Sequence, residues 1–403
     1  MPDLPSATPS LDMAAIRADV PAAGRQTFLN SAGSSLMPRP VVQVMHDYLY
    51  LEAEVGGYAA QQQQAEALAH VYQAAADLIC ARPTEIALMQ SATAAWQMAF
   101  YSLALGAGDV VLTCEAEYAA NVVAMLQLRE RLGIRFEVVP SDPDSGELDL
   151  QALARMLRPE VKLIAMTWVP TNGGLVNPAA EVGALARAHG VPYLLDACQA
   201  VGQLPVDVNG LGCDMLCATG RKFLRGPRGT GFLFVRQDFM DRLVPHTIDH
   251  FSAEWTDAQR YTLRDDARRY EIWETNCVGQ VGLGAALDYA LGLDMHAIAS
   301  RNASLAAQAR EGLSGIAGVT VRDLGRSPCA IVTFTVQDMP AADVVSRARE
   351  AGIAMGVSSP PSTRLDAMRR QLPDLVRASP HYFNLPEEIE TLVRVVHALR
   401  RSR

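Results

Sequence analysis

The chain has 403 residues, too many for one small core and suited to a large domain with a smaller companion. Its formal net charge is −9 with no basic block, which sets aside a nucleic-acid partner and leaves a small molecule as the expected ligand. The start Met-Pro-Asp-Leu-Pro-Ser lacks the basic and apolar regions of a secretory signal, and no apolar run nears the ~20 residues that span a bilayer. The expectation is therefore a cytoplasmic protein with no membrane contact.

In chain order, residues 1 to 25 read as a helix-prone arm expected to pack with the smaller domain. An extended piece follows at Thr27–Asn30, then a Gly/Ser turn through Ser35. Helical periodicity runs from Pro40 to Leu78, with Gln61–Gln64 as a solvated face. Beyond residue 85, helices alternate with apolar strands at Val110–Cys114, Phe136–Pro140, Leu163–Val169, Pro192–Ala197, Met215–Ala218 and Gly231–Val235. That alternation predicts an α/β fold built on a mainly parallel sheet. A long helix over Val278–Leu293 closes the large domain (26–294). A smaller α+β domain (295–403) follows, with strands at Val319–Arg322, Ile331–Val336 and Ile353–Val357.

Seven cysteines are scattered. Cys213 and Cys217 lie four apart, but no second pair or His pair follows at zinc spacing, so no metal site is expected. Lysine is the unusual residue. Only Lys162 and Lys222 occur, whereas arginine is abundant. An amine nucleophile is one task that a permanently protonated guanidinium cannot perform.

The strand at Leu194-Leu195-Asp196 ends in a carboxylate, and the next ends at Ala218-Thr219-Gly220-Arg221-Lys222. Strands of such a sheet present their carboxyl ends to one cleft. Asp196 and Lys222 are the pair that pyridoxal phosphate (PLP) requires: an amine to hold its aldehyde and a carboxylate to keep its ring nitrogen protonated. Thr219 and Arg221 add a hydroxyl and a cation suited to phosphate.

The runs Asp196-Ala197-Cys198-Gln199, Thr219-Gly220-Arg221-Lys222 and Gly226-Pro227-Arg228-Gly229-Thr230-Gly231-Phe232-Leu233 resemble those of the class V aminotransferase and cysteine desulfurase superfamily of PLP enzymes. The resemblance implies fold type I, with a seven-stranded large-domain sheet. It implies that Ala92 and Thr93, in Ser91-Ala92-Thr93, receive the phosphate at a helix start. It also implies that Asn172 and Gln199 approach the cofactor's phenolic oxygen and that Arg377 clamps the substrate carboxylate. It further implies a homodimer with shared active sites, in which Thr275 or Asn276 reaches the partner's phosphate, because Glu274 stands where relatives carry Thr.

Two departures narrow the reaction. Relatives with desulfurase activity carry a catalytic cysteine where this chain reads Gly352-Ile353-Ala354-Met355-Gly356-Val357-Ser358-Ser359, so a desulfurase is the lesser expectation. Tyr118, in Glu117-Tyr118-Ala119-Ala120-Asn121, stands at the ring-covering position and either covers the cofactor or acts as an acid. The stretch Glu52-Ala53-Glu54-Val55-Gly56-Gly57-Tyr58, with Asn30-Ser31-Ala32-Gly33-Ser34, resembles hercynylcysteine sulfoxide lyase and suggests Ser34 and Tyr58 as substrate contacts. The expected activity is a C–S lyase that eliminates the β-substituent of a cysteine conjugate or its sulfoxide, with Lys222, Asp196 and Tyr118 as catalytic residues. An epimerase or aminotransferase is the alternative.

Overall fold

The computed structural model describes residues 11–401. Its central sheet has seven strands: β1 (Ile86–Met89), β2 (Val110–Cys114), β3 (Arg135–Val139), β4 (Val161–Thr167), β5 (Tyr193–Asp196), β6 (Met215–Thr219) and β7 (Gly231–Val235). Their order across the sheet is β1-β7-β6-β5-β4-β2-β3. Only β7 runs against the rest, pairing antiparallel with both β1 and β6. The reason is local: the β6–β7 connection is short and contains no helix, whereas a parallel return needs a crossover. That helix-free connection is the segment that carries Lys222.

The expected seven-stranded, mainly parallel sheet is thus present. Residues alternate between its two faces, as strand geometry demands. Val110, Leu112, Ile164 and Met166 enter one apolar cluster, while Val111, Leu163 and Ala165 join Trp96 and Phe100 in another. Burying each such large side chain contributes roughly 1.5–3 kcal/mol. The edge strand β3, with Arg135 and Glu137, is the most polar of the seven, which suits an edge.

The other edge, β1, was not recognised from the sequence and is fully buried. The Glu271 carboxylate accepts the Leu88 N–H at 2.9 Å and the Tyr72 hydroxyl at 2.9 Å, standing where a further strand would pair. Burial pushes the Glu271 carboxyl up to about 7.

The C-terminal sheet is antiparallel, made of β8 (Val319–Val321), β9 (Val332–Val336), β10 (Gly356–Ser358) and β11 (Leu375–Ala378) in the order β8-β9-β11-β10. The strand expected over Ile353–Val357 divides. Ile353–Ala354 pairs with Thr27–Phe28, and Gly356–Ser358 turns to β11. One apolar run changes partners at Met355, which periodicity alone does not reveal. The helical region after Pro40 is likewise three helices, Arg39–Val55, Gly57–Gln63 and Ala65–Ile79. In the arm, helix Met13–Ala18 places Arg17 on Glu388 and the Phe383 carbonyl. Residues 1–10 of that arm lie outside the described residues. The exposed hairpin of strands Ala253–Asp257 and Arg260–Leu263 was also not foreseen.

Candidate active site

A pocket opens at the carboxyl ends of β4, β5 and β6. Asp196, Lys222, Tyr118, Gln199, Thr219 and Arg221 line it, with the helix start Ser91-Ala92-Thr93 at one end and Thr167, Val169, Thr171 and Cys198 between. Both Asp196 and Lys222 are buried. A larger cleft of about 710 Å³ lies at the opposite, amino ends of the strands, beside Asp109, Lys162 and Pro192. Sheets of this kind place their chemistry at the carboxyl ends, so the smaller pocket is the candidate.

The Lys222 turn is held from several sides. Gly220 N–H donates to Thr230 O at 2.9 Å, Gly226 N–H to Gly220 O at 2.7 Å, and Ser35 N–H to Arg221 O at 2.8 Å. Arg221 Nη1 also donates to the Gly33 carbonyl. From the C-terminal side, His381 meets Phe223 O at 2.7 Å through Nε2. Burial keeps that imidazole well below its ordinary pKa, so it is neutral and Nε2 carries the proton it donates. Gly202 is obligatory beneath the turn: its φ is +89°, and a Cβ there would lie 2.3 Å from Leu224 N.

Asp196 Oδ1 accepts the Cys198 N–H at 2.9 Å, and Oδ2 accepts from Asn121 Nδ2 at 3.0 Å. Tyr118 precedes helix Ala119–Leu132 and is 38% exposed, which rules out a core role. Burial raises its hydroxyl pKa, with Cys198 and Asp196 adding to the effect and Arg221 and Arg377 opposing it.

Arg377 lies on β11, opposite Thr333 of β9 and Gly356 of β10. Its Nη1 donates to Thr171 Oγ1 at 2.6 Å and Thr171 O at 3.2 Å. No carboxylate among the described residues pairs with it, and its buried Nε has no partner. Burial, with Arg221 nearby, pulls the guanidinium down to about 10, so it remains charged at neutral pH. A buried cation without a counter-charge is costly unless a ligand supplies one.

Several expected residues do not line the pocket. Asn172 Nδ2 donates to Asp366 Oδ2 at 2.7 Å, while the neighbouring Thr171 lines the pocket and contacts Arg377 and Gln199. Ser34 sits in the turn beside Arg221 without reaching the pocket. Tyr58 is 78% exposed on the start of its helix. Thr275 and Asn276 border a separate hollow with Gln90, Gly229 and Glu274, and Asn276 caps helix Cys277–Leu293. Glu117 and Asn121, beneath the pocket, were visible in the sequence only as parts of a motif with no assigned roles.

The geometry suits PLP. Ser91 Oγ accepts the Ala94 N–H, leaving other N–H groups in the first turn of helix Ala92–Tyr101 available to an anion at that end of the pocket. Gln199 Oε1 is buried without a partner, and Asp196 faces the pocket with its two oxygens held.

Residues 27–392 match the family model of aminotransferase class V. The chain belongs to this family. It is 31% identical over 392 residues to a cysteine desulfurase of Yersinia pestis (strain Pestoides F), covering 94% of this chain and 96% of that protein. The apo cysteine desulfurase of Thermococcus onnurineus NA1 superposes with a TM-score of 0.91 at 25% identity, covering 98% of this chain and all of that one. A C-DES lysine-to-alanine variant, with glycine covalently linked to its PLP cofactor, superposes with a TM-score of 0.86 at 23% identity, over 96% of this chain and 99% of that one. The chain is a PLP-dependent enzyme of the class V superfamily.

These findings overturn the expected C–S lyase. The relatives are named cysteine desulfurases, the reading that the sequence had ranked lower. That ranking gave one position, the missing cysteine between Gly352 and Ser359, more weight than similarity along nearly the entire chain. The narrower likeness to hercynylcysteine sulfoxide lyase gains no support from them.

Proposed function

We propose that this enzyme removes sulfur from L-cysteine or a close analogue and passes it to a thiol outside the segment 352–361. The observation that carries the amino-acid substrate is Arg377, a buried cation lacking a counter-charge on the rim of the Lys222 pocket. Names of relatives sharing 28–31% identity support cysteine as the substrate class. Ser358 and Ser359 cannot hold a persulfide, so the acceptor thiol comes from elsewhere.

In this reading Arg377 binds the substrate carboxylate through two parallel hydrogen bonds. PLP, when bound, supplies a conjugated ring that absorbs the charge left at the substrate's α-carbon. Ala92 and Thr93 would hold its phosphate, Asp196 would accept the ring N–H, and Gln199 would present its amide to the phenolic edge. Lys222 would hold the cofactor, and its Nζ is the group placed to take the α-proton of the substrate. Tyr118 screens the open side.

A second copy completes the assembly. Leu49, Tyr50, Val55, Tyr58 and Trp255 are large apolar side chains at 40–78% exposure, more than a monomer ordinarily leaves in water. Thr275 and Asn276 would then serve the partner's site. Sedimentation should give a dimer, and a monomer at micromolar concentration would contradict this.

The function is tested by incubating the PLP-loaded enzyme with L-cysteine and a small dithiol. Alanine and sulfide are expected in equal amounts, because the dithiol takes up the sulfur as a persulfide and then closes to its disulfide with loss of sulfide. Pyruvate as the main product would contradict the reading.

A further inference from the structure

Beneath the pocket lies a buried carboxylate that the reaction above leaves unused. Glu117 is 1% exposed. Its Oε1 accepts from Tyr118 N at 2.9 Å, Asn121 Nδ2 at 2.8 Å and Thr167 Oγ1 at 2.5 Å. Its Oε2 accepts from Thr113 Oγ1 at 2.9 Å and Thr167 N at 3.0 Å. Three of the five contacts are N–H donors and the two threonine hydroxyls can donate as well, so the hydrogen-bond set fits an ionised carboxylate. The same Asn121 amide nitrogen lies 3.0 Å from Asp196 Oδ2. One NH₂ group therefore spends its two hydrogens on two carboxylates.

We propose that Glu117 and Asn121 are positioning residues that fix Asp196 against the cofactor's ring nitrogen. The inference rests on the reading that Asp196 accepts the ring N–H. A carboxamide can present either its oxygen or its NH₂ to a neighbour. An oxygen turned toward Asp196 would repel it. Because Glu117 Oε1, which also takes the Tyr118 N–H, meets Asn121 as an acceptor, it holds the NH₂ of Asn121 in place, so Asp196 meets a donor there. Asp196 Oδ1 is tied separately to Cys198 N, and the two anchors leave the carboxylate no free rotation.

The charge matters as well as the orientation. Burial pushes the Glu117 carboxyl up and Asp196 adds to this, while hydrogen bonds from Thr167, Asn121 and Tyr118 oppose it. The other titratable groups around Asp196 are Tyr118, Cys198 and Cys217, whose thiols burial keeps protonated, and Lys222 across the pocket. A second buried anion behind Asp196 adds negative potential at the ring nitrogen and favours its proton.

The test uses the PLP-loaded variants Glu117→Gln and Asn121→Ala, with Asp196→Asn as reference. The readout is the visible absorbance of the lysine-bound cofactor as a function of pH. Two protons on one conjugated system repel each other. Loosening the ring proton lets the attachment nitrogen hold its own more firmly, so the absorbance midpoint should move up by half a pH unit or more. With cysteine, kcat should fall about tenfold or more, equivalent to ~1.4 kcal/mol, with KM within threefold. Either variant decides if the other fails to fold. A midpoint and kcat at wild-type values in a folded variant, while Asp196→Asn shifts both, would overturn the proposal alone. An unshifted midpoint in Asp196→Asn would instead overturn the reading on which it rests.

Discussion

The two ends of the pocket are built differently. At the Asp196 end the polar groups are satisfied within the chain: Asn121, Glu117, Thr167 and Thr113 form a closed set of hydrogen bonds. At the Arg377 end, Arg377 Nε, Asn30 Oδ1 and Ser358 Oγ are buried without partners. Unpaired buried polar groups cost roughly 1–3 kcal/mol each, so the second end awaits ligands whereas the first is already organised. The rigid end suits a resident ring, whose proton must be held the same way at every turnover. The incomplete end suits a substrate that arrives and leaves.

This contrast predicts different kinds of damage. Asp196→Asn removes a charge from the organised end and should lower kcat on the order of 10³-fold, measured with cysteine at saturating PLP. A loss confined to PLP affinity, with kcat intact, would break the distinction. Arg377→Ala should lower kcat/KM for cysteine about 100-fold, mostly through KM, while the visible spectrum of the resting enzyme stays unchanged. Lysine at 377 should restore little, because a point charge does not reproduce the planar fork. Crowding the incomplete end is gentler. A Cβ at Gly356 would lie 2.9 Å from Asn30 Oδ1 and 3.5 Å from Arg377 Nη2, so Gly356→Ala should raise KM by about tenfold at most, near 1.4 kcal/mol.

A third carboxylate, far from both ends, sharpens the comparison by affecting stability alone. Glu271 sits near 7 when folded, against an ordinary 4.5, because it is buried. Its folded form holds the proton more tightly. The stability this confers is fully present below about pH 4.5 and is lost as pH rises through 7. The loss is on the order of 3 kcal/mol across that window. Glu271→Gln, measured by urea midpoints at pH 5 and pH 8, should be less pH-sensitive than the parent. Equal slopes would contradict the assignment.

Much of the large sheet was legible because strands buried on both faces are continuous apolar runs bounded by turns. β1 escaped because four residues between a 3-10 turn and a helix carry little periodicity, and its edge is sealed by Glu271, 183 residues from Leu88 in the chain. Lys222 and Asp196 could be read from strand ends. Arg377 could not be singled out from composition, since its meaning lies in burial without a counter-charge. The Asn172–Asp366 hydrogen bond was not legible for a similar reason: Asp366 belongs to a helix that no local pattern brings near. The reaction was misjudged because an absent cysteine is one position, whereas the family likeness spans residues 27–392.

Every role proposed for the pocket depends on Lys222 as the residue that holds the cofactor. Having only two lysines makes the test clean. Borohydride reduction of the PLP-loaded enzyme, followed by proteolysis and mass spectrometry, should place the pyridoxyl phosphate mass on the peptide containing Lys222, with Lys162 unmodified. Label on Lys162, or an unlabelled Lys222 in an enzyme that still turns over cysteine, would contradict the account.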